Sequence, residues 1–184
     1  MRIITAFILI LSLCSCSVPS FSPANKPVFY VLQSPSPMRT GKSLLQLSIL
    51  PPILPSYLDR TQIVSRNPSR SEIIVHEYDL WGEDLSQGIA RVLCSALAGY
   101  GIETMPLTAG IQADKRLVIE IRRFDGAVND VVQMDAVWTI RQDGNEPISR
   151  QFHSTEPSGK DMNSMVQAMS LLTEKLARDI ATHK

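Results

Sequence analysis

The sequence predicts an α/β chain of the α+β type: a single domain with a mixed β-sheet and two main helices packed on one face, preceded by an export segment and a tether. Alternating apolar residues mark several strands, and two other segments carry apolar residues at helical spacing. The order strands, helix, strands, helix favours two helices on one face of a mixed sheet. A length of 184 residues is typical of one such domain.

The composition excludes several classes of protein. Hydrophobic residues make up 44% of the chain and charged residues 20%, which is typical of neither a disordered tail nor a polytopic membrane protein. Eighteen basic side chains balance eighteen acidic ones. This balance argues against a nucleic-acid partner, which requires clustered excess Lys and Arg.

The N-terminus has the layout of a signal peptide. Arg2 is followed by the largely apolar residues 3–13, a run too short for a transmembrane helix, which needs about 20 residues. A buried first strand or helix of a cytosolic domain is the alternative, but the abrupt change to Ser and Pro disfavours it. We therefore interpret residues 1–15 as a signal peptide.

The segment Leu13-Cys14-Ser15-Cys16 resembles a bacterial lipobox, with a branched residue, a small residue and then the lipidated cysteine. Cys14 is the competing acceptor, but bulky Leu13 directly precedes it where a small residue is preferred. We therefore expect lipidation at Cys16, with cleavage before it and palmitate among the acyl chains. Several acyl chains together would hold the protein at a bilayer essentially permanently.

The residues after Cys16 predict a sorting signal and a tether. The residue directly after Cys16 is Ser17 and not Asp. By resemblance to enterobacterial sorting, this predicts transport of the lipoprotein to the outer membrane. Residues 16–27 contain the lipidated Cys and a Pro/Ser-rich stretch that would form a semi-extended tether. The domain itself is assigned to residues 28–184.

The first half of the domain is predicted to contain strands. Alternating or β-branched residues mark them, and prolines and turn residues separate them. The predicted strands cover residues 28–33, 45–49, 63–64 and 73–75.

The second half is predicted to contain two helices around a meander. Apolar residues at helical spacing cover 85–97, and a glycine at 99 or 101 would end that helix. A short strand at 102–105 precedes a meander from about 116 to 153, and a second helix covers 162–180. Ser158 or Asp161 could cap this helix. Its methionine-rich stripe is either core or an adaptable binding groove.

The sequence offers no catalytic or metal-binding constellation. Its three histidines have no metal-ligand spacing, and its cysteines form no C-x-x-C motif. The Thr-Gly-Lys-Ser segment at residues 40–43 lacks the upstream glycine of a phosphate-binding loop. We therefore expect no cofactor, no metal and no enzyme activity.

Several segments together resemble one family. They are the lipobox, an early strand with Tyr30-Val31-Leu32, the block from Leu54 to Arg66 and a tryptophan-led segment from Leu80 to Leu85. The mature domain, roughly residues 28–182, is thereby similar to the ABC-type transport auxiliary lipoproteins, the PqiC- and YmbA-like lipoproteins of intermembrane transport. One departure is Gly82, where the family suggests alanine.

The resemblance implies an outer-membrane lipoprotein that faces the periplasm. It would dock or stabilise an MCE-type (mammalian cell entry) channel protein, together with inner-membrane transport components, in a system that moves lipid between membranes. The acyl anchor would bind the outer-membrane bilayer, and a homo-oligomer around the channel tip is a further expectation.

Tyr57, Leu58, Asp59 and Arg60 are the candidate partner-binding residues, because a loop after a proline-broken stretch is where binding residues concentrate. The alternative places Tyr57 and Leu58 in the core, with Asp59 and Arg60 pairing locally. Trp81 is expected in the core. A different function is also open, in which the domain itself binds a lipid or small apolar ligand; an envelope hydrolase would need a nucleophile that the sequence does not offer.

Overall fold

The structure, a computed structural model, describes residues 26–34, 45–67, 69, 71–106 and 114–184. The signal peptide, Cys16, most of the tether and the segment 40–43 lie outside these residues. The described strands are β1 (Val28–Tyr30), β2 (Leu45–Ile49), β3 (Gln62–Arg66), β4 (Ile73–Trp81), β5 (Ile102–Pro106), β6 (Lys115–Gly126), β7 (Val131–Gln142) and β8 (Ile148–Pro157). The described helices are α1 (Leu85–Gly99) and α2 (Met162–His183).

The strands form two mixed sheets. In the described residues, one sheet has the order β1-β4-β3 and the other has the order β5-β2-β6-β7-β8. β1 runs parallel to β4, and β2 runs parallel to both β5 and β6, whereas the remaining pairs are antiparallel. The predicted α+β class, with its two helices, is confirmed, and its strands are divided between two sheets.

The meander is confirmed as β6, β7 and β8, which pair antiparallel in sequence order. Gly144 adopts a φ of 81° in the turn between β7 and β8, a conformation that glycine adopts without steric cost. Alternate residues of β7 are buried, as period-2 spacing requires of a strand with one face on the core. These inward residues are Val132, Met134, Ala136, Trp138 and Ile140.

Both helices begin and end close to the predicted residues. α1 ends at Gly99, and Gly101 follows with a φ of 73°. Of the two candidate caps for α2, Asp161 is the one that caps the helix, because its carboxylate accepts a hydrogen bond from the Ser164 backbone N–H at 2.8 Å. The methionine stripe is core, since Met165 and Met169 are at most 1% exposed.

The helices pack on each other and on the five-stranded sheet. α2 contacts β6, β7 and β8, and α1 contacts α2 and β5. The indole N–H of fully buried Trp138 donates to Asp179 on α2 at 2.7 Å, which satisfies a polar atom inside the core. No helix within the described ranges has the length and apolar character needed to cross a bilayer.

The chain leaves β1 after Tyr30 and is then held by both helices. Buried Leu32 offers its carbonyl to the guanidinium of Arg91 on α1 at 2.7 Å. The next backbone N–H, from Gln33, donates to Ser170 Oγ on α2 at 3.0 Å. These bonds explain why β1 is shorter than the predicted strand at 28–33, since the backbone groups of residues 32 and 33 pair with helices instead of strands.

Candidate functional site

The loop at the start of the Leu54–Arg66 block has a buried part and an exposed part. The N–H of Leu58 bonds the carbonyl of Pro55, and the N–H of Arg60 bonds the carbonyl of Leu58, both at 2.9 Å. This tight turn buries Leu58 to 2% exposure and leaves Tyr57 half-buried. Asp59 and Arg60 are exposed. The four candidate residues therefore lie together in one loop but face two environments.

Tyr57 is directed at a buried carboxylate. Its hydroxyl donates to Asp125 Oδ2 at 2.6 Å. Arg66 binds the same carboxylate with two hydrogen bonds, at 2.7 Å and 2.8 Å, and Arg123 Nε donates to Oδ1 at 3.0 Å. Asp125 is fully buried. The guanidinium of Arg66 also lies 5.9 Å from the centroid of the Tyr57 ring, within the range of a cation–π contact.

This Asp125 cluster, formed by Tyr57, Arg66, Arg123 and Asp125, joins the two sheets. Arg66 ends β3 in the three-stranded sheet, whereas Arg123 and Asp125 lie in β6 of the five-stranded sheet. Bidentate hydrogen bonds between a guanidinium and a carboxylate are among the strongest and most directional in proteins. The cluster therefore fixes the loop of residues 55–61 against both sheets.

The pKa shifts of the cluster stabilise the charge state in which its hydrogen bonds form. Burial by itself would raise the pKa of Asp125, but the hydrogen bonds from Arg66, Tyr57 and Arg123 outweigh it and hold that pKa below its usual value. Burial and the bond to Asp125 raise the pKa of Tyr57 to about 12. The bond to Asp125 likewise raises the pKa of Arg66. These shifts keep Asp125 ionised and Tyr57 and Arg66 protonated at neutral pH, which maintains the charges that hold the cluster together.

Sequence reasoning missed Asp125 because two charged residues, Arg123 and Asp125, continue the inward series of β6, and charged side chains are rarely found in a core. Leu117, Ile119 and Ile121 point into the core. If the same alternation continued along β6, both Arg123 and Asp125 would point inward. The register shifts between Ile121 and Arg123, after which three consecutive residues, 124–126, are buried. An acidic residue between Phe124 and Gly126, beside two arginines, was the available signal.

The exposed part of the loop lies at one end of the three-stranded sheet. Thr61, next to Arg60, accepts a hydrogen bond from the Trp81 backbone N–H at 2.7 Å. Trp81 is the last residue of β4 and is 6% exposed, so its side chain lies in the core as expected. It ends a strand, however, and does not begin a helix. Gly82 likewise precedes α1, and a Cβ there would lie 3.1 Å from Val31 Cγ1.

Cavities near these elements include two that bear on the possible functions. One, of about 300 Å³, opens beside the Asp125 cluster and is lined by residues that include Arg66, Asn67, Arg123, Gly126 and Asp130. The other, also of about 300 Å³, is a more apolar groove between the chain after β1 and α2. Its lining includes Tyr30, Val31, Gln33, Val166, Gln167 and Leu171.

The histidines and cysteine of the described chain do not converge. His76 bonds Ser65 at 2.8 Å, His153 bonds Asp135 at 2.5 Å, and His183 lies on α2. Cys94 is a free thiol whose pKa is raised by burial. Among the described residues, no three His, Cys, Asp or Glu side chains are arranged to hold a metal ion.

Solved structures of other proteins have a similar fold. No protein with a curated description matches the chain. The chain resembles a crystal structure of an uncharacterized protein with a TM-score of 0.71 and 20% identity, covering 85% of this chain and 97% of the other. It also resembles a protein from Xanthomonas campestris assigned to the DUF330 family, with a TM-score of 0.65 and 16% identity, covering 83% and 92%. At these sequence identities the similarity shows a shared fold and nothing further.

The family assignment comes from a sequence match. The family model of the ABC-type transport auxiliary lipoprotein component matches residues 30–181, from the last residue of β1 to the last turn of α2. The half-buried Tyr57 and Arg66, which hold Asp125, both lie in the Leu54–Arg66 block that carried the sequence resemblance. The chain therefore belongs to the ABC-type transport auxiliary lipoprotein family.

Proposed function

We propose that this protein is an outer-membrane lipoprotein, anchored through Cys16 and facing the periplasm, that docks or stabilises the MCE-type channel protein of an intermembrane lipid transport system. The observation that carries the proposal is the family match over residues 30–181 downstream of a lipobox-like segment that ends at Cys16. An acyl anchor would confine the domain to one membrane and so raise its effective concentration at the channel end.

Asp59 and Arg60 are the residues that we propose as part of the partner-binding surface. Both are exposed, whereas the residues before them are held inside by burial of Leu58 and by the 2.6 Å bond from Tyr57 to Asp125. A loop fixed in this way presents its exposed side chains in one arrangement, which lowers the entropy lost on binding. Tyr57 and Leu58 would then contribute by positioning the loop.

The proposal is tested by co-purification of the tagged lipoprotein with an MCE-type channel protein encoded in the same genome. We expect the double variant Asp59→Ala/Arg60→Ala to lose the channel protein and keep its melting temperature. The matched control is Arg141→Ala/Asp143→Ala, which removes one exposed basic and one exposed acidic side chain elsewhere and should retain the channel protein. Equal retention by both variants would contradict the assigned surface, and failure of the wild type to retain any channel protein would contradict the docking role.

The variant Leu58→Ala distinguishes a residue that positions the loop from residues that contact the partner. Truncating a buried leucine costs about 2–5 kcal/mol of unfolding free energy, so this variant should be destabilised where the Asp59/Arg60 variant is not. Chemical denaturation of both variants measures the difference.

The anchor is tested separately by metabolic labelling with palmitate. Cys16→Ala should give an unprocessed or soluble protein without label, whereas Cys14→Ala should still incorporate it. Loss of label in the Cys14 variant alone would move the lipidation site to Cys14.

A second candidate function is supported by the apolar groove between the chain after β1 and α2. Its volume of about 300 Å³ lies at the small end of the range for small-molecule sites. In this case the domain would itself bind a lipid or small apolar ligand. Native mass spectrometry of the purified domain decides between the two functions, because a carrier retains a mass adduct and a docking module does not.

A further inference from the structure

The cavity beside the Asp125 cluster contains more positive charge than its buried carboxylate neutralises. Arg66 and Arg123 both line it, and both bind Asp125. One carboxylate balances only one guanidinium, so the cluster carries a net charge of one positive unit next to the cavity. Its arginine side chains keep 27% and 32% of their surface exposed, which leaves them accessible from the solvent side.

The two guanidinium groups also retain hydrogen-bonding capacity. Each guanidinium has five N–H donors in a planar fork. The bonds to Asp125 engage Nε and Nη2 of Arg66 and Nε of Arg123, and these bonds hold both groups in fixed orientations. Pre-oriented guanidinium pairs match the geometry of phosphate oxygens, which accept paired N–H donors.

The rest of the lining fits a small anionic group. Asn67 and Ser71 add polar residues to the lining, which also includes Gly126 and Ala127. Gly126 has no room for a side chain, since a Cβ there would lie 2.3 Å from the carbonyl oxygen of Val131. The volume of about 300 Å³ accommodates a phosphate group with a short substituent.

Asp130 is the one lining residue that opposes an anion. Asp130 lines the same cavity as the two arginines. A phosphoester that carries its own ammonium group would satisfy both signs of charge, whereas inorganic phosphate would bind the arginines with an affinity reduced by Asp130.

We propose that the cavity lined by Arg66, Arg123 and Asp130 binds a phosphate group, with Arg66 and Arg123 as its donors. This site requires neither the acyl anchor at Cys16 nor a channel partner, so its failure would leave the proposed function standing. The phosphate can belong to free inorganic phosphate or to a phospholipid headgroup, and the two sources differ in whether Asp130 helps or hinders binding.

The test is titration of the purified mature protein with inorganic phosphate and, separately, with dihexanoyl phosphatidylethanolamine below its micelle concentration. Binding is followed by the ¹H–¹⁵N NMR signals of Gly126, Ala127 and the arginine side chains. We expect saturable shifts at these signals. Tighter binding of the phosphatidylethanolamine identifies a headgroup site, and tighter binding of inorganic phosphate identifies a free-phosphate site.

Adjacent arginines give a matched pair of variants. Arg123→Gln should weaken binding at least several-fold, whereas Arg122→Gln should not, because Arg122 pairs with exposed Glu120 outside the cavity lining. Asp130→Asn leaves the Asp125 cluster untouched and should tighten inorganic phosphate binding. It therefore tests the site even if the Arg123 variant is unstable.

Three results would overturn the proposal. The first is the absence of saturable shifts at Gly126 and Ala127 with either probe. The second is equal weakening by Arg122→Gln and Arg123→Gln, which would indicate diffuse attraction to surface charge. The third is unchanged affinity for inorganic phosphate in Asp130→Asn, because the carboxylate would then not face the bound anion.

Discussion

Replacing Asp125 by Asn tests whether the Asp125 cluster holds the two sheets together. The substitution keeps the shape of the side chain but removes the charge that three donors share. Breaking a buried ion pair by removal of one partner costs about 3–5 kcal/mol. The side chains of Arg66 and Arg123 keep 27% and 32% exposure, so water can solvate them in the variant, and we expect a loss near the lower end, about 3 kcal/mol.

This loss is measurable by thermal and urea unfolding of the mature protein. For a domain of this size each kcal/mol lowers the melting temperature by about 2–4 °C, so the expected decrease is about 6–12 °C. The fluorescence of Trp81 and Trp138, both buried, reports the transition. The control is Asp143→Asn, whose carboxylate is 96% exposed and 3.7 Å from Arg116; an exposed pair of this kind contributes little.

The pH dependence gives a second check. The folded pKa of Asp125 lies below the unfolded value, so the stability from its ionised form is complete above an unfolded pKa of about 3.9 and is lost as the pH falls through the folded pKa. The difference between wild type and Asp125→Asn should therefore stay constant from pH 7 to pH 5 and narrow only in stronger acid. The reasoning is refuted if Asp125→Asn and Asp143→Asn unfold together at pH 7.

Three further predictions concern single side chains. Tyr57→Phe should cost about 1.5–3 kcal/mol at pH 7, the usual value for a hydrogen bond to a charged group. Because the folded pKa of Tyr57 is raised to about 12, the wild type should also lose stability as the pH rises from about 10 to about 12. Urea unfolding should show a smaller loss in the variant, where the raised pKa of Tyr30 still contributes, and an equal loss in both proteins would contradict the assignment to Tyr57. Asp161→Ala should lower the melting temperature by removing the cap of α2, whereas Ser158→Ala should not; equal effects would contradict the capping assignment. Cys94, whose thiol pKa is raised by burial, should react with iodoacetamide at pH 8 more slowly in the native protein than in urea, and equal rates would show that the thiol is accessible.

The elements that sequence reasoning predicted are those built from local contacts. β6, β7 and β8 follow one another along the chain, pair with their neighbours and alternate in burial, so their pattern is legible in short windows. The two helices have buried stripes at positions three and four apart, which is equally local. The turn between β7 and β8 can be predicted from the glycine at position 144 alone.

The features that escaped prediction depend on residues far apart in sequence. β2 lies between β5 and β6 and runs parallel to both, a position that its own alternating residues cannot specify. Tyr57 meets Asp125 across 68 positions of sequence. The bulge between Ile121 and Arg123 is followed by consecutive buried residues, Phe124 and Asp125, and a bulge leaves little trace in an alternating pattern. The candidate loop was located correctly as a loop, but the division between its buried and exposed residues needed the structure.

The attachment of residues 32 and 33 to both helices has a mechanical consequence. Any pull that reaches the domain from its N-terminal side enters at β1, a strand of only three residues. Beyond it, force passes through the Leu32 carbonyl to α1 and through the Gln33 N–H to α2. A pull on the N-terminal segment would therefore load the pairing of β1 with β4 first and then the two bonds to the helices, so the force reaches three separate elements of the domain.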